Sequence, residues 1–144
     1  MFEVAVEHTF AAGHALRHYK GKCENVHGHN YRVRVVVQGE KLDSIGMLAD
    51  FVALKKHLRE VCEPMDHVFL NDLPPFDVLN TTAENMAAHI AGLMEKALIG
   101  NPHPVTVAEV TVWESPYSGD FRSCPPFCLR PGWLREAIRM ASAA

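Results

Sequence analysis

The pair His27-Gly28-His29 constrains this chain more than any other stretch. In an extended backbone side chains alternate, so residues two apart share a face. If the chain is extended here, both imidazoles point the same way. Tyr31, Val33, Val35 and Val37 continue that parity, so the pair opens a strand, expected through residues 31–38, whose apolar face is also the histidine face. Arg32 and Arg34 fall on the opposite face. Gly28 leaves one side bare and lets another backbone or a ligand come close. Alone, a His-x-His pair is more often a chance surface pair than a site. This one follows Cys23 by four residues and lies downstream of Phe10-x-Ala12-x-His14, which offers a third imidazole. Three neutral imidazoles on one divalent ion leave a fourth position for water or substrate, the usual arrangement of a catalytic zinc.

Around this pair the pattern is mixed. Residues 2–10 alternate, with Phe2, Val4, Val6, His8 and Phe10 on one side, and read as a half-buried strand. His8 shares the apolar face and reads as a core or cleft histidine. Residues 15–26 have no apolar period, so the first two strands are expected to be antiparallel neighbours joined by a long functional loop. Asp50 can cap a helix whose apolar positions are Phe51, Leu54, Leu58 and Val61, stopped soon after by Pro64. Thr81-x-x-Glu84 reads as a capping box opening a second helix, with Met86, Ile90, Leu93 and Ala97 on one face. A β-branched strand follows over 105–114. A last strand is placed around 117–123 and a short tail helix over 133–140, beyond Pro125, Pro126 and Pro131. This order predicts one α+β domain spanning 1–144, an antiparallel four-stranded sheet with two helices on one face.

Composition narrows the function. A chain of 144 residues can bury a real core, and a net charge of −3 gives no reason to expect nucleic acid or an anionic membrane as partner. No apolar run approaches the ~20 residues of a membrane span. The stretch Met1 to Glu7 has neither a basic region nor a long apolar run, so no signal peptide is read there and a cytoplasmic location is expected. In that compartment Cys23, Cys62, Cys124 and Cys128 read as thiols rather than disulfides. Cys124-x-x-x-Cys128 is not a zinc-ribbon spacing.

Five signatures fall in one order: Phe10-x-Ala12-x-His14, Cys23-x-x-x-His27-Gly28-His29-x-Tyr31, Met65-Asp66-His67-x-x-Leu70-Asn71, Thr82-Ala83-Glu84-Asn85, and Glu114. Over residues 2 to about 121 the chain resembles the 6-pyruvoyltetrahydropterin synthase family. Within it the chain looks most like the bacterial 6-carboxytetrahydropterin synthases of queuosine biosynthesis; the tail 122–144 lies outside the pattern. The resemblance implies the tunnelling fold, with sheets closing into a β-barrel on oligomerisation and a homohexamer made of two trimers. It implies zinc on His14, His27 and His29, with Cys23, Asp66 and His67 catalytic and Glu114, Glu84 and Thr82 at the pterin. The implied substrate is 7,8-dihydroneopterin triphosphate, and the products are 6-carboxy-5,6,7,8-tetrahydropterin, acetaldehyde and triphosphate. Pyruvoyl-forming members resemble Cys-x5-His-Gly-His, which needs a cysteine where this chain has Gly21. A third subgroup puts glutamate at the place of Cys23. Two alternatives stay open: triphosphate elimination without carbon–carbon cleavage, and a non-catalytic pterin- or metal-binding homologue.

The residues suit that chemistry. Losing triphosphate and breaking a side-chain carbon–carbon bond both require acidifying protons beside oxygen-bearing carbons, which a Lewis acid assists. Cys23 near a cation can act as a thiolate base. Its Lys-Gly-Lys-Cys-Glu setting favours reactivity over burial, and Glu24 is a neighbouring carboxylate. In Asp66-His67 the carboxylate can fix the imidazole tautomer and raise its basicity. Glu114, at a strand end, suits a bidentate bond to a ring amide and amino group, both of which a pterin offers. Glu84 is also explained by the capping box alone. Arg17, Lys20 and Lys22 are candidates for the triphosphate on charge and position.

Overall fold

The computed structural model describes residues 1–114 and 127–129. Strand β1 (Phe2–His14) pairs antiparallel with β2 (His27–Gly39) along its whole length, from Phe2 opposite Gly39 to His14 opposite His27. Strand β3 (Thr106–Trp113) pairs with the other side of β2, and a three-residue β4 (Phe127–Leu129) pairs with β3. Among the described residues the sheet is thus three long antiparallel strands and one short fourth, in the order β1-β2-β3-β4. The last strand expected around 117–123 and the tail helix over 133–140 fall outside the described residues. Between Val36 and Val37 the register with β3 slips: Val36 faces Glu109 and Val37 faces Val107. Ala108 is then an extra residue, the mark of a bulge.

Strand β1 runs four residues past the alternating pattern. Ala11, Ala12 and Gly13 carry no apolar rhythm, and pairing with residues 27–30 of β2 on one side and with residues 67–69 on the other makes them a strand. That extension brings His14 beside His27.

The two faces of the sheet differ in kind. Val6, Phe10, Tyr31, Val33, Val35, Val110 and Val112 are buried on one face, beneath two helices. Each fully buried side chain of this kind contributes roughly 1.5–3 kcal/mol. The other face carries Arg34, whose guanidinium meets the Glu109 carboxylate at 3.1 Å, and Arg32, which lies 4.0 Å over the Trp113 ring.

Helix α1 (Phe51–Cys62) starts at Asp50, whose carboxylate accepts from the Val52 amide at 2.9 Å. It buries Leu54, Leu58 and Cys62, spaced by four, and packs on β1. Phe51, expected on that face, is 48% exposed. Helix α2 (Ala83–Ala97) packs on β3 and buries Met86, Ile90 and Met94 together with Ala87, Ala88 and Ala91. Leu93 and Ala97, expected inside, are only half-buried. The buried stripe therefore runs through Met86, Ile90 and Met94. The cap of α2 also differs from expectation. Thr82 caps it, accepting from the Asn85 amide at 3.2 Å, and the box from Thr81 to Glu84 does not form.

Between the helices, residues 66–69 run along the free side of β1. The His67 amide donates to the Ala11 carbonyl at 2.6 Å and the Gly13 amide to the Val68 carbonyl at 3.0 Å. No helix among the described residues is long and apolar enough to cross a membrane.

Candidate metal centre

Antiparallel register builds the cluster. His14 pairs with His27 and Ala12 with His29, so the end of β1 and the start of β2 present three imidazoles on one face. One ligand atom from each residue lies within 4.8 Å of the others. The His14 and His27 Nε2 atoms are 3.0 Å apart. Tyr31, wholly buried, floors the group with its ring edge-on to His14 and His29 and stacked 5.1 Å from Phe10.

Outer hydrogen bonds set the tautomers. His14 Nδ1 lies 3.0 Å from the Thr81 carbonyl oxygen, and His27 Nδ1 lies 2.8 Å from that of Asn25. A carbonyl can only accept, so each Nδ1 carries a hydrogen and each neutral ring presents a lone pair at Nε2. Two lone pairs therefore face each other at 3.0 Å. His29 Nε2 is also buried without a hydrogen-bond partner. Buried acceptors left facing one another are costly unless something positive joins them. The donor set of three neutral nitrogens fits a divalent ion such as zinc.

The electrostatics agree. Burial is the main cause that lowers the proton affinity of both His14 and His29. The Thr81 carbonyl and then the Glu114 carboxylate push His14 back up, while His27 and His29 push it further down. For His29 the Glu114 carboxylate raises and His27 lowers. Neutral imidazole is the ligating form.

The remaining candidates lie at different removes. Glu114, at the end of β3, brings Oε2 to 3.9 Å from His29 Nε2, too far for a hydrogen bond but inside the cluster's field. Asp66 and His67 form a pair, with His67 Nδ1 2.8 Å from Asp66 Oδ1, and the same oxygen accepts from the Ala11 amide at 2.9 Å. That backbone bond, then the His67 side chain, hold the Asp66 carboxyl below the usual carboxylate range. His67 sits at φ +56°, a left-handed backbone that the bonds to Ala11 hold in place. A depression of about 420 Å³ joins His67 and Val68 to Gly13, Gly28 and His29.

Cys23 is half-buried in a 3₁₀ turn, Lys22–Glu24, with its carbonyl accepting from the Leu16 amide at 2.8 Å. Asn25 closes that turn onto the Lys22 carbonyl and holds His27 through its own carbonyl. Cys23 and Cys62 carry no disulfide, and burial pushes the Cys62 thiol up to about 12, so Cys62 stays protonated. The side chains of Cys124 and Cys128 lie outside the described residues. Thr82 spends its hydroxyl on the helix cap, and Glu84 is exposed on the first turn of α2. The structure gives neither a contact with the three histidines.

Arg17 is a clamp. Its guanidinium donates to the Leu79 and Asn71 carbonyls at 3.1 and 3.0 Å, whereas Lys20 and Lys22 are exposed. Sequence reasoning missed the polar residues that hold His14: Thr81 against its ring, and Asn71 and Asn80, which bind the backbone of Ala15 and Arg17 in both directions. The signal was short. Asn80 and Thr81 precede a helix and pass for capping residues, and Asn71 stands in a motif with no role attached.

A sequence profile described as "6-pyruvoyl tetrahydropterin synthase" matches residues 3–121. A Synechocystis protein named 6-carboxy-5,6,7,8-tetrahydropterin synthase is 37% identical over 114 residues, covering 76% of this chain and 87% of its own. A human 6-pyruvoyl tetrahydrobiopterin synthase is 40% identical over 94 residues, covering 62% of this chain and 65% of its own. The solved structure of the Caenorhabditis elegans 6-pyruvoyl tetrahydropterin synthase superposes with a TM-score of 0.71 at 30% identity, over 91% of this chain and 97% of that one.

Proposed function

The chain belongs to the 6-pyruvoyl tetrahydropterin synthase family, and from that premise we propose that it is a zinc-dependent 6-carboxy-5,6,7,8-tetrahydropterin synthase. In this reading it converts 7,8-dihydroneopterin triphosphate and one water to 6-carboxytetrahydropterin, acetaldehyde and triphosphate, in the cytoplasm and in service of queuosine biosynthesis. The observation that carries the metal is the set of outward-bonded imidazoles, His14 and His27, whose lone pairs converge beside the unpartnered Nε2 of His29. A zinc ion held by His14, His27 and His29 would supply Lewis acidity toward the side-chain oxygens of the pterin.

The chain's own residues do the rest. Cys23 Sγ, as thiolate, removes a side-chain proton. The turn Lys22–Glu24 ties it to His27 through Asn25, so the three-residue gap leaves the sulfur little freedom relative to the cluster. A longer gap would put the base at a different carbon. Gap length thus supports cleavage over elimination alone. His67, held in one tautomer by Asp66 Oδ1, keeps Nε2 available to pass a proton at the far side of the substrate. Glu114 anchors the ring amide and amino groups, and Glu84 and Thr82, near the start of α2, complete the pterin's surroundings.

In the same reading 1–144 is a single domain, and the active enzyme is a homohexamer of two stacked trimers. The pyruvoyl-forming reaction is the second reading, favoured by the 40% identity to the human relative.

One assay separates them. Purified protein is incubated with 7,8-dihydroneopterin triphosphate, and the pterin product is weighed by mass spectrometry while acetaldehyde is measured. A 6-carboxy product with acetaldehyde is expected. Cys23→Ala should keep its metal while turnover drops by about 10²–10⁴-fold. A product retaining all three side-chain carbons, without acetaldehyde, transfers the chain to the pyruvoyl-forming reading. Absence of any turnover would leave a binding homologue.

A further inference from the structure

Thr81 is fully buried, lies outside the metal-ligand set, and is not the helix cap that its sequence context suggests. Its two polar oxygens converge on one atom. His14 Nδ1 lies 3.0 Å from the Thr81 carbonyl oxygen and 3.2 Å from Oγ1. The hydroxyl in turn lies 3.3 Å from the Ala15 carbonyl. A hydroxyl has one hydrogen, so it can donate to Ala15 or to His14, not both.

The carbonyl decides which. It accepts only, so His14 carries its hydrogen at Nδ1, and the hydroxyl must turn its own hydrogen to Ala15 and its lone pair to the imidazole. The relay runs from His14 Nδ1–H to Thr81 Oγ1–H to the Ala15 carbonyl. In the opposite tautomer the Thr81 carbonyl would face a lone pair, and His14 would aim N–H at the cluster where a ligating lone pair is required.

The end of the relay is itself anchored. Asn71 Nδ2 donates to the Ala15 carbonyl at 2.8 Å and Asn71 Oδ1 accepts from the Ala15 amide at 2.9 Å. Asn80 binds Arg17 the same way, and Asn85 Nδ2 donates to the Asn80 carbonyl at 2.7 Å, which ties the segment to α2. The acceptors for His14 are therefore held from two sides.

We infer that Thr81 is a positioning residue of the metal centre: carbonyl and hydroxyl together hold His14 with Nε2 aimed at the ion, and the side-chain hydroxyl strengthens this chain's grip on metal. The inference rests on the metal reading above, and its test keeps the two apart.

Full-length protein is stripped of metal by chelation and titrated with zinc against a chromophoric competitor, for wild type, Thr81→Val and Thr81→Ser. Melting of each metal-free protein is recorded alongside. Removing an outer partner of a ligating histidine typically weakens metal binding about 10–100-fold. Thr81→Val, which keeps the shape and loses the hydroxyl, should raise the zinc Kd by about tenfold or more, and Thr81→Ser should return it to the wild-type value. Metal-free Thr81→Ser should melt with wild type. A Thr81→Val protein that binds zinc as tightly as wild type overturns the inference. So does equal weakening in Thr81→Ser, which would reduce Thr81 to a packing residue. If Thr81→Val does not melt cooperatively, Thr81→Ala takes its place and is judged in the same way. Wild-type protein that binds no zinc would instead sink the metal reading itself.

Discussion

At the scale of single residues, the site is governed by which ring nitrogens carry hydrogens. His14 and His29 release protons more readily in the folded chain than in water, chiefly because burial penalises the cation. The unfolded chain therefore binds more protons below the ordinary histidine value of 6.5, and stability must rise with pH through that region. Metal-free protein should keep its full stability above this value and lose it as acid is added. Thermal melts from roughly pH 7.5 to 5.5 should show a falling midpoint, and a flat profile would contradict the assigned neutral state. The histidines were legible because alternation and the family-like signatures both point at them. Thr81 was not, since a buried threonine before a helix looks like a cap until the fold shows Thr82 in that role. Arg17 misled in another way: its charge suggests an anion, while its guanidinium is taken up by two backbone carbonyls.

Among the elements, β1 and β2 matter most, because their register alone puts His14 against His27. The valines of β2 and β3 made those strands readable, and apolar spacing made both helices readable to within a rotation of the buried face. The last turn of β1 was hidden, because Ala11, Ala12 and Gly13 gain their extended form from partners on both sides. Asn71 fastens the chain just beyond that turn. It is 9% exposed, and its amide satisfies both the N–H and the C=O of Ala15. Asn71→Ala should cost roughly 1–3 kcal/mol, the penalty for buried polar groups left without partners. Chemical denaturation of the metal-free protein measures it directly. A change below a few tenths of a kcal/mol would show that water replaces the amide.

For the whole molecule, the sheet raises the question of edges. On the side away from β2, β1 is covered by residues 66–69 only near Ala11 and Gly13, and among the described residues no second strand pairs with the stretch from Phe2 to Phe10. Long exposed edges are usually closed by another strand, and barrels remove them altogether. The proposed hexamer would close this edge with a second copy. Light scattering should return the mass of six chains, and an active monomer would refute that assembly. The central claim is that His14, His27 and His29 together hold one divalent ion, and metal content tests it most directly. Protein purified without chelators should contain one zinc per chain by elemental mass spectrometry, and His27→Ala should contain almost none while remaining folded. A wild-type protein without transition metal, or a His27→Ala variant with the same metal content, would contradict the account.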